Sequence, residues 1–115
     1  MKTKVNKFLN KNESVSIEEF SQKLKKSLSS DLLKIELFGS KARGHFNKDS
    51  DVDILIVVRK KTFSLKDKLF RILLDIDLEY DSRISPLILS QKEYEENKIL
   101  RSPLILAIEK EGIKI

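Results

Sequence analysis

The sequence predicts a single domain of the α/β (α+β) class, and three observations carry that expectation. Residues 52–58 are almost uninterruptedly apolar (Val-Asp-Ile-Leu-Ile-Val-Val), the composition of a strand covered on both faces. Leu65, Leu69, Ile72, Leu73, Ile76 and Tyr80 recur at helical spacing and mark an amphipathic helix directly after it. The periodic segments then succeed one another in the order α, β, β, α, β, α, with no repeat and no low-complexity tract.

Each element has its own signals. Residues 1–14 are polar and lysine-rich, with Val5, Phe8 and Leu9 as apolar anchors, and read as a flexible or docking N-terminal segment. Ser16 followed by Glu19 has the form of a capping box, after which Ile17, Phe20, Leu24 and Leu28 define a first helix that ends near 29–31. Residues 32–38 form a β-rich segment running into Gly39. Ser64 with Asp67 is the expected start of the second helix. Residues 84–89 are a third strand whose Pro86 suits an edge or a bulge, because proline donates no ladder hydrogen bond. Residues 91–97 suggest a helical turn. Ser102 and Pro103 supply a cap and first helical residue, and Gly112 closes that helix before a short Ile-Lys-Ile terminus.

Composition narrows the function classes. The 115 residues suffice for one core, and 1–115 reads as one domain. Cysteine is absent, which excludes disulfide frameworks and thiolate metal sites and fits a cytoplasmic setting. A lone histidine, His45, excludes multi-histidine metal sites. The apolar runs are too short for a membrane span. A net charge of +5 favours anionic partners, although 36% charged residues of both signs equally describe a well-solvated surface. No basic stretch is interleaved with aromatics, so nucleic acid is not the expected partner.

The chemistry gathers between residues 37 and 58. Residues 37–44 read Leu-Phe-Gly-Ser-Lys-Ala-Arg-Gly, and Asp51 and Asp53 enter the apolar strand further on. Carboxylates two apart on a strand share a face and repel, and the repulsion is relieved by a proton or a cation. Such a pair of hard oxygen donors suits Mg²⁺. A Gly39-Ser40 turn after a strand can bring backbone N–H groups and a hydroxyl against phosphate oxygens. The two halves together read as a site for a metal-bound nucleotide. Arg43 offers either a bidentate phosphate contact or a local ion pair that braces the loop. Asp49 and Ser50 shape the turn into the strand, and Ser50 joins Gly39, Ser40 and Arg43 as a nucleotide-binding candidate.

This pattern resembles the signature of the minimal nucleotidyltransferases of the DNA polymerase β superfamily. The likeness extends to residues 83–90 (Arg-Ile-Ser-Pro-Leu-Ile-Leu-Ser) and 108–113 (Ile-Glu-Lys-Glu-Gly-Ile), covering nearly the whole chain from Ile17. It implies a small mixed sheet flanked by helices, resembling a polymerase β palm, that binds Mg·ATP and moves AMP to an acceptor hydroxyl. Asp51 and Asp53 would bind two Mg²⁺ ions, and Ser40 with the N–H groups after Gly39 would hold the terminal phosphates. The resemblance further implies a toxin–antitoxin role in which a tyrosine of a HEPN-domain partner is adenylylated. The acceptor surface would come from that partner or from a second copy in a homodimer.

One departure stands out. The superfamily supplies a third carboxylate from a later strand, and the matching positions here, Arg83 or Ser85, are not acidic. Asp81 shares the alternation of Arg83 and becomes the substitute if the strand starts early. Without a third acid the alternative is a catalytically weak or inactive nucleotide-binding subunit that neutralises its partner by contact alone. The remaining candidates have plainer readings: His45 as a solvated loop residue, Phe46 as a loop anchor, and Asp75, Asp77 and Glu79 as the wet side of the second helix.

Overall fold

The first helix starts at Asn10, not at Ser16. Asn10 Oδ1 accepts from Glu13 N–H at 2.7 Å while the Glu13 carboxylate accepts from Asn10 N–H at 3.0 Å. This reciprocal box opens α1, Lys11–Leu28. Ser16 instead lies buried within the helix, its hydroxyl donating to Glu13 O at 2.9 Å. Asn12 Nδ2 donates to Tyr80 O at 2.7 Å, a tertiary contact that holds this early turn in place. The computed structural model describes residues 9–39, 42 and 51–115.

After a 3₁₀ turn at Ser29–Asp31 come β1 (Leu32–Phe38), β2 (Val52–Val58), α2 (Phe63–Tyr80), β3 (Ile84–Ser90), α3 (Gln91–Ile99), α4 (Pro103–Glu111) and β4 (Ile113–Lys114). Thr62, rather than Ser64, caps α2, its Oγ1 accepting from Leu65 N–H at 3.1 Å. The expected turn at 91–97 is a full helix because Ser90 and Glu93 form a second capping box. Ser102 accepts from Ile105 N–H at 3.2 Å with Pro103 following, as expected.

The described strands make one mixed sheet in the order β3-β2-β1-β4. β2 runs antiparallel to β1 and parallel to β3, and β4 pairs antiparallel with β1. Pro86 therefore sits on an edge strand, where its missing donor does least harm. A bulge around Leu33 shifts the register of β1, so that Leu32 and then Ile35 and Leu37 turn to the same side.

The sheet is covered on both faces, and unequally. Ile54, Ile56 and Val58 of β2 join Ile35 and Leu37 of β1 in the main core beneath α1 and α2, built on Phe20, Leu24, Leu69 and Ile76. The alternate residues Leu55 and Val57 pack with Leu87, Leu89, Tyr94, Leu104 and Ile108 beneath α3 and α4, a much smaller cluster. The apolarity of β2 on both sides is thus explained, and Asp53 belongs by alternation to the thinly covered face.

Candidate functional site

Gly39 and Asp53 are brought together by the pairing of β1 with β2. Phe38 lies opposite Asp53, so the chain leaving β1 passes directly over the aspartate. Gly39 adopts φ +81°, a left-handed conformation that disfavours any residue with a Cβ. A Cβ placed there would lie 3.1 Å from Asp53 Cγ and 3.2 Å from its Cβ, and nearer still to Oδ2. Glycine is thus required twice, by its dihedral angle and by the carboxylate against its backbone. Ala42 N–H donates to Gly39 O at 3.0 Å, and Ala42 packs against the main core, fastening the far side of the turn.

Asp51 stands one residue ahead of β2 and is exposed, whereas Asp53 is half-buried within the strand. Val52 N–H donates to Arg83 O at 2.8 Å, tying the segment between the two aspartates to the start of β3. The Gly39 end of β1 and the Asp51–Asp53 end of β2 therefore meet at one end of the two central strands. Ser40, Arg43 and Ser50, the other nucleotide-binding candidates, lie outside the described residues, as do His45, Phe46 and Asp49.

The parallel register settles which position on β3 adjoins the acids. Asp53 pairs with Ser85, so the serine, not Arg83, lies beside it on the same face. Asp81 cannot take that place by strand alternation, because β3 starts only at Ile84. It is the C-cap of α2, exposed, with φ 51° and its N–H bonded to Asp77 O. The expectation that an early strand start would bring Asp81 round is corrected by this cap: the left-handed residue ends the helix and breaks the alternation.

A carboxylate that the sequence reading passed over lies on the same sheet face. Glu36 is 6% exposed and paired with Lys34 Nζ at 3.0 Å. Burial pulls the Lys34 ammonium down, but hydrogen bonds and attraction from Glu36 and Tyr94 outweigh it, and its pKa ends above the ordinary lysine value. Lys34 and Lys98 lie 5.4 and 5.5 Å from the centroid of the Tyr94 ring. These groups line a cavity of about 400 Å³ bounded by Ile108 and Gly112. Glu36 pairs across to Leu55 and Lys114, toward β4, and its ion pair commits it there. The signal was present in the sequence as a single acid inside an apolar strand with a lysine two residues before it.

Residues 17–115 match the family described as nucleotidyltransferase domain. The chain belongs to the nucleotidyltransferase domain family. It is 34% identical over 100 residues to "Putative protein adenylyltransferase MJ0141" of Methanocaldococcus jannaschii, across 86% of this chain and 94% of the relative. A second protein of that organism, "Putative protein adenylyltransferase MJ1305", is 36% identical over 96 residues, covering 80% of this chain and 63% of the relative. Among solved structures, "Structure of putative minimal nucleotidyltransferase" superposes with a TM-score of 0.56 at 20% identity, covering 88% of this chain and 93% of that one. "Crystal structure of the toxin-antitoxin with AMP-PNP" superposes with a TM-score of 0.52 at 21% identity, covering 84% and 70%. These two likenesses establish a shared fold.

The donor set of this nucleotidyltransferase domain fits Mg²⁺. Among the described residues no three acids or histidines converge, so a fully protein-built metal cage is not formed. Magnesium keeps several waters and is commonly held by one or two carboxylates together with substrate phosphates. Asp51 and Asp53 supply that number of hard oxygens, and Gly39 removes the side chain that would otherwise stand between the turn and Asp53.

Proposed function

We propose that this chain is a Mg²⁺-dependent adenylyltransferase that moves AMP from ATP to an acceptor hydroxyl, and that the acceptor is a tyrosine of a HEPN-domain toxin for which it serves as cytoplasmic antitoxin. The observation that carries the reading is the Asp53 carboxylate lying against the bare backbone of Gly39, with Asp51 two residues away at the same end of the strand. The relatives named as protein adenylyltransferases favour a protein acceptor, and the toxin–antitoxin neighbour with AMP-PNP favours both ATP and a toxin partner.

In this reading residues 1–115 act as one minimal domain. The acceptor oxygen attacks the α-phosphorus of ATP, the bond to the β-phosphate breaks, and pyrophosphate leaves. Mg²⁺, as two ions when bound, would neutralise triphosphate charge and lower the pKa of the acceptor hydroxyl. Asp51 and Asp53 would hold the metal and orient the reacting groups. Ser40 and the N–H groups following Gly39 would grip the terminal phosphates, with Ser50 and the Arg43 guanidinium as further contacts. Among the described residues β3 offers no carboxylate beside Asp53 to receive the hydroxyl proton, because the position there is Ser85. The proton passes to water or to Asp53 itself.

That same register supports a second reading, a nucleotide-binding subunit that neutralises its toxin by contact with little or no transfer. One experiment divides the two. Purified chain, α-³²P-ATP, Mg²⁺ and the candidate toxin are incubated together, and label on the toxin that disappears in Asp53→Asn supports the transferase. A stable complex with neither label nor dependence on ATP supports the contact reading. Label that appears only on RNA or a small hydroxyl compound would remove the protein acceptor.

A further inference from the structure

Helix α2 buries one apolar face and leaves a second one bare. Leu65, Leu69, Leu73 and Ile76 enter the main core, as their spacing requires. On the opposite side Phe63, Phe70, Leu74 and Leu78 are 86%, 47%, 57% and 77% exposed. At 3.6 residues per turn these four fall within one narrow sector and form a stripe about 22 Å long. A helix that served only to cover the sheet would carry polar residues there. Asp67 falls inside the stripe, and Arg71 pairs with it at 2.9 Å.

The charges beside the stripe have a direction. Lys66, Lys68 and Arg71 lie in the first half of α2, while Asp75, Asp77 and Glu79 lie in the second half, which contains no basic residue. This is the reverse of what the helix macrodipole favours, namely acids near the N-terminus and bases near the C-terminus. The pattern therefore opposes the stability of α2 as an isolated helix. It becomes favourable when a second helix of the same sequence lies antiparallel against it.

We infer that the Phe63, Phe70, Leu74 and Leu78 face of α2 is a self-association surface, on which a second copy of this chain docks with its own α2 antiparallel about a two-fold axis. A two-fold interface is self-complementary, each residue meeting a counterpart fixed by the position of the axis. Lys66 and Asp77 occupy one flank of the stripe, whereas Lys68 and Asp75 lie more than about 100° round the helix from its middle and do not reach a helix docked there. In an antiparallel pair like flanks adjoin. Pairing Lys66 with the partner's Asp77 places the axis between Arg71 and Ile72. The apolar stripe is centred within about one residue of that point, so Phe70 and Leu74 lie nearest the axis and Phe63 approaches the far end where Leu78 lies. Two independent features, the flanking charge pair and the apolar stripe, agree on one register.

Sedimentation equilibrium of the full chain over a wide concentration range tests this. The expected result is a monomer–dimer equilibrium that weakens as salt is raised. Leu74→Glu, at an exposed position where circular dichroism should show an intact fold, weakens dimerisation by at least tenfold. Lys66→Glu alone and Asp77→Lys alone each weaken it several-fold, and the double exchange restores it, because every interface then again contains opposite charges. A chain that remains monomeric at all concentrations overturns the inference. So does a dimer indifferent to Leu74→Glu and to the charge exchange. A monomer whose complex with a different protein is lost on Leu74→Glu also overturns it, assigning the stripe to a heterologous partner. None of these outcomes depends on nucleotidyl transfer.

Discussion

The two faces of β2 are made by alternate residues of one seven-residue strand and have opposite tasks. Val52, Ile54, Ile56 and Val58 enter the main core under the long helices α1 and α2. Asp53, Leu55 and Val57 face α3 and α4, nine-residue helices that contribute a small apolar cluster. The proposed chemistry is on the thin side, at its open end, where a charged carboxylate can keep water or a metal-bound phosphate as its solvent. On the other face the same carboxylate would be buried without a partner, at a cost no isolated charge tolerates. A one-residue slip of β2 would exchange the faces, so the deep core under α1 and α2 fixes the register of the site.

The largest expected effect concerns the open end. Asp53→Asn preserves shape but removes the charge and one acceptor oxygen, and should lower nucleotidyl transfer by about 10²–10⁴-fold while leaving the melting temperature within a few degrees of wild type. Rate assays with the labelled nucleotide, paired with calorimetry, check it. Loss of folding in parallel with loss of activity would show Asp53 to be structural and dissolve the distinction between the faces.

Alanine substitutions at neighbouring positions come next. Ile54 and Leu55 are both fully buried, one on each face. Large-to-small substitutions in cores cost about 2–5 kcal/mol, depending on how far the surroundings collapse. Ile54→Ala should fall near the upper end, because α1 and α2 are locked together over the main core. Leu55→Ala should fall near the lower end, because two short helices can settle into the gap. Urea denaturation of both variants measures the difference, and equal losses would mean that the thin face is as rigid as the thick one.

Much of this asymmetry could be read before the structure. The double-sided apolarity of residues 52–58 announced cover on both faces, and Pro86 pointed to an edge or a bulge, of which the edge is found. Helix starts were less legible because several residues compete for each cap. Ser16 with Glu19 satisfies the sequence pattern as well as Asn10 with Glu13 does, and what favours the earlier start is tertiary: Leu9 packs on the main core and Asn12 bonds Tyr80 O, 68 residues away in sequence. The pairing of Gly39 with Asp53 was half legible: both residues were singled out, but their contact depends on a strand register that no local pattern encodes. Ser85 and Arg83 could not be separated from sequence for the same reason. Glu36 was missed because a lone acid in a strand usually points to solvent, and its burial arises from β4 and α4 closing over it.

Ser85→Asp sharpens the comparison by changing the neutral neighbour of Asp53. The new carboxylate would lie beside Asp53 on the thin face. Without metal, like charges side by side should lower the melting temperature, and Mg²⁺ should more than restore it. If transfer is limited by the missing acid, the rate should rise about 10²-fold, at the low end of the range a positioned base contributes. A variant destabilised equally with and without Mg²⁺ would place the metal away from β3.

The smallest effect tests how the thin face is held in place. Glu93 closes the box at the start of α3, accepting from Ser90 N–H at 2.9 Å and pairing with Lys61 Nζ at 3.0 Å. The Ser90 N–H first, and then Lys61, hold its pKa below the ordinary glutamate value. A carboxylate depressed in the folded state contributes stability above its unfolded pKa, and that contribution is lost as pH falls through the folded value. The loss should therefore begin below about pH 4.5 and be confined to α3. Hydrogen exchange should show α3 amides losing protection in this window before those of α1 and α2, and Glu93→Gln should flatten the pH dependence without abolishing the cap. Ser90→Ala, which removes the other half of the box, should cost about 1 kcal/mol at neutral pH. Acid loosening that reached α1 and α3 together would mean that the two faces open as one unit, and that the thin cover over Asp53 is no easier to open than the core behind it.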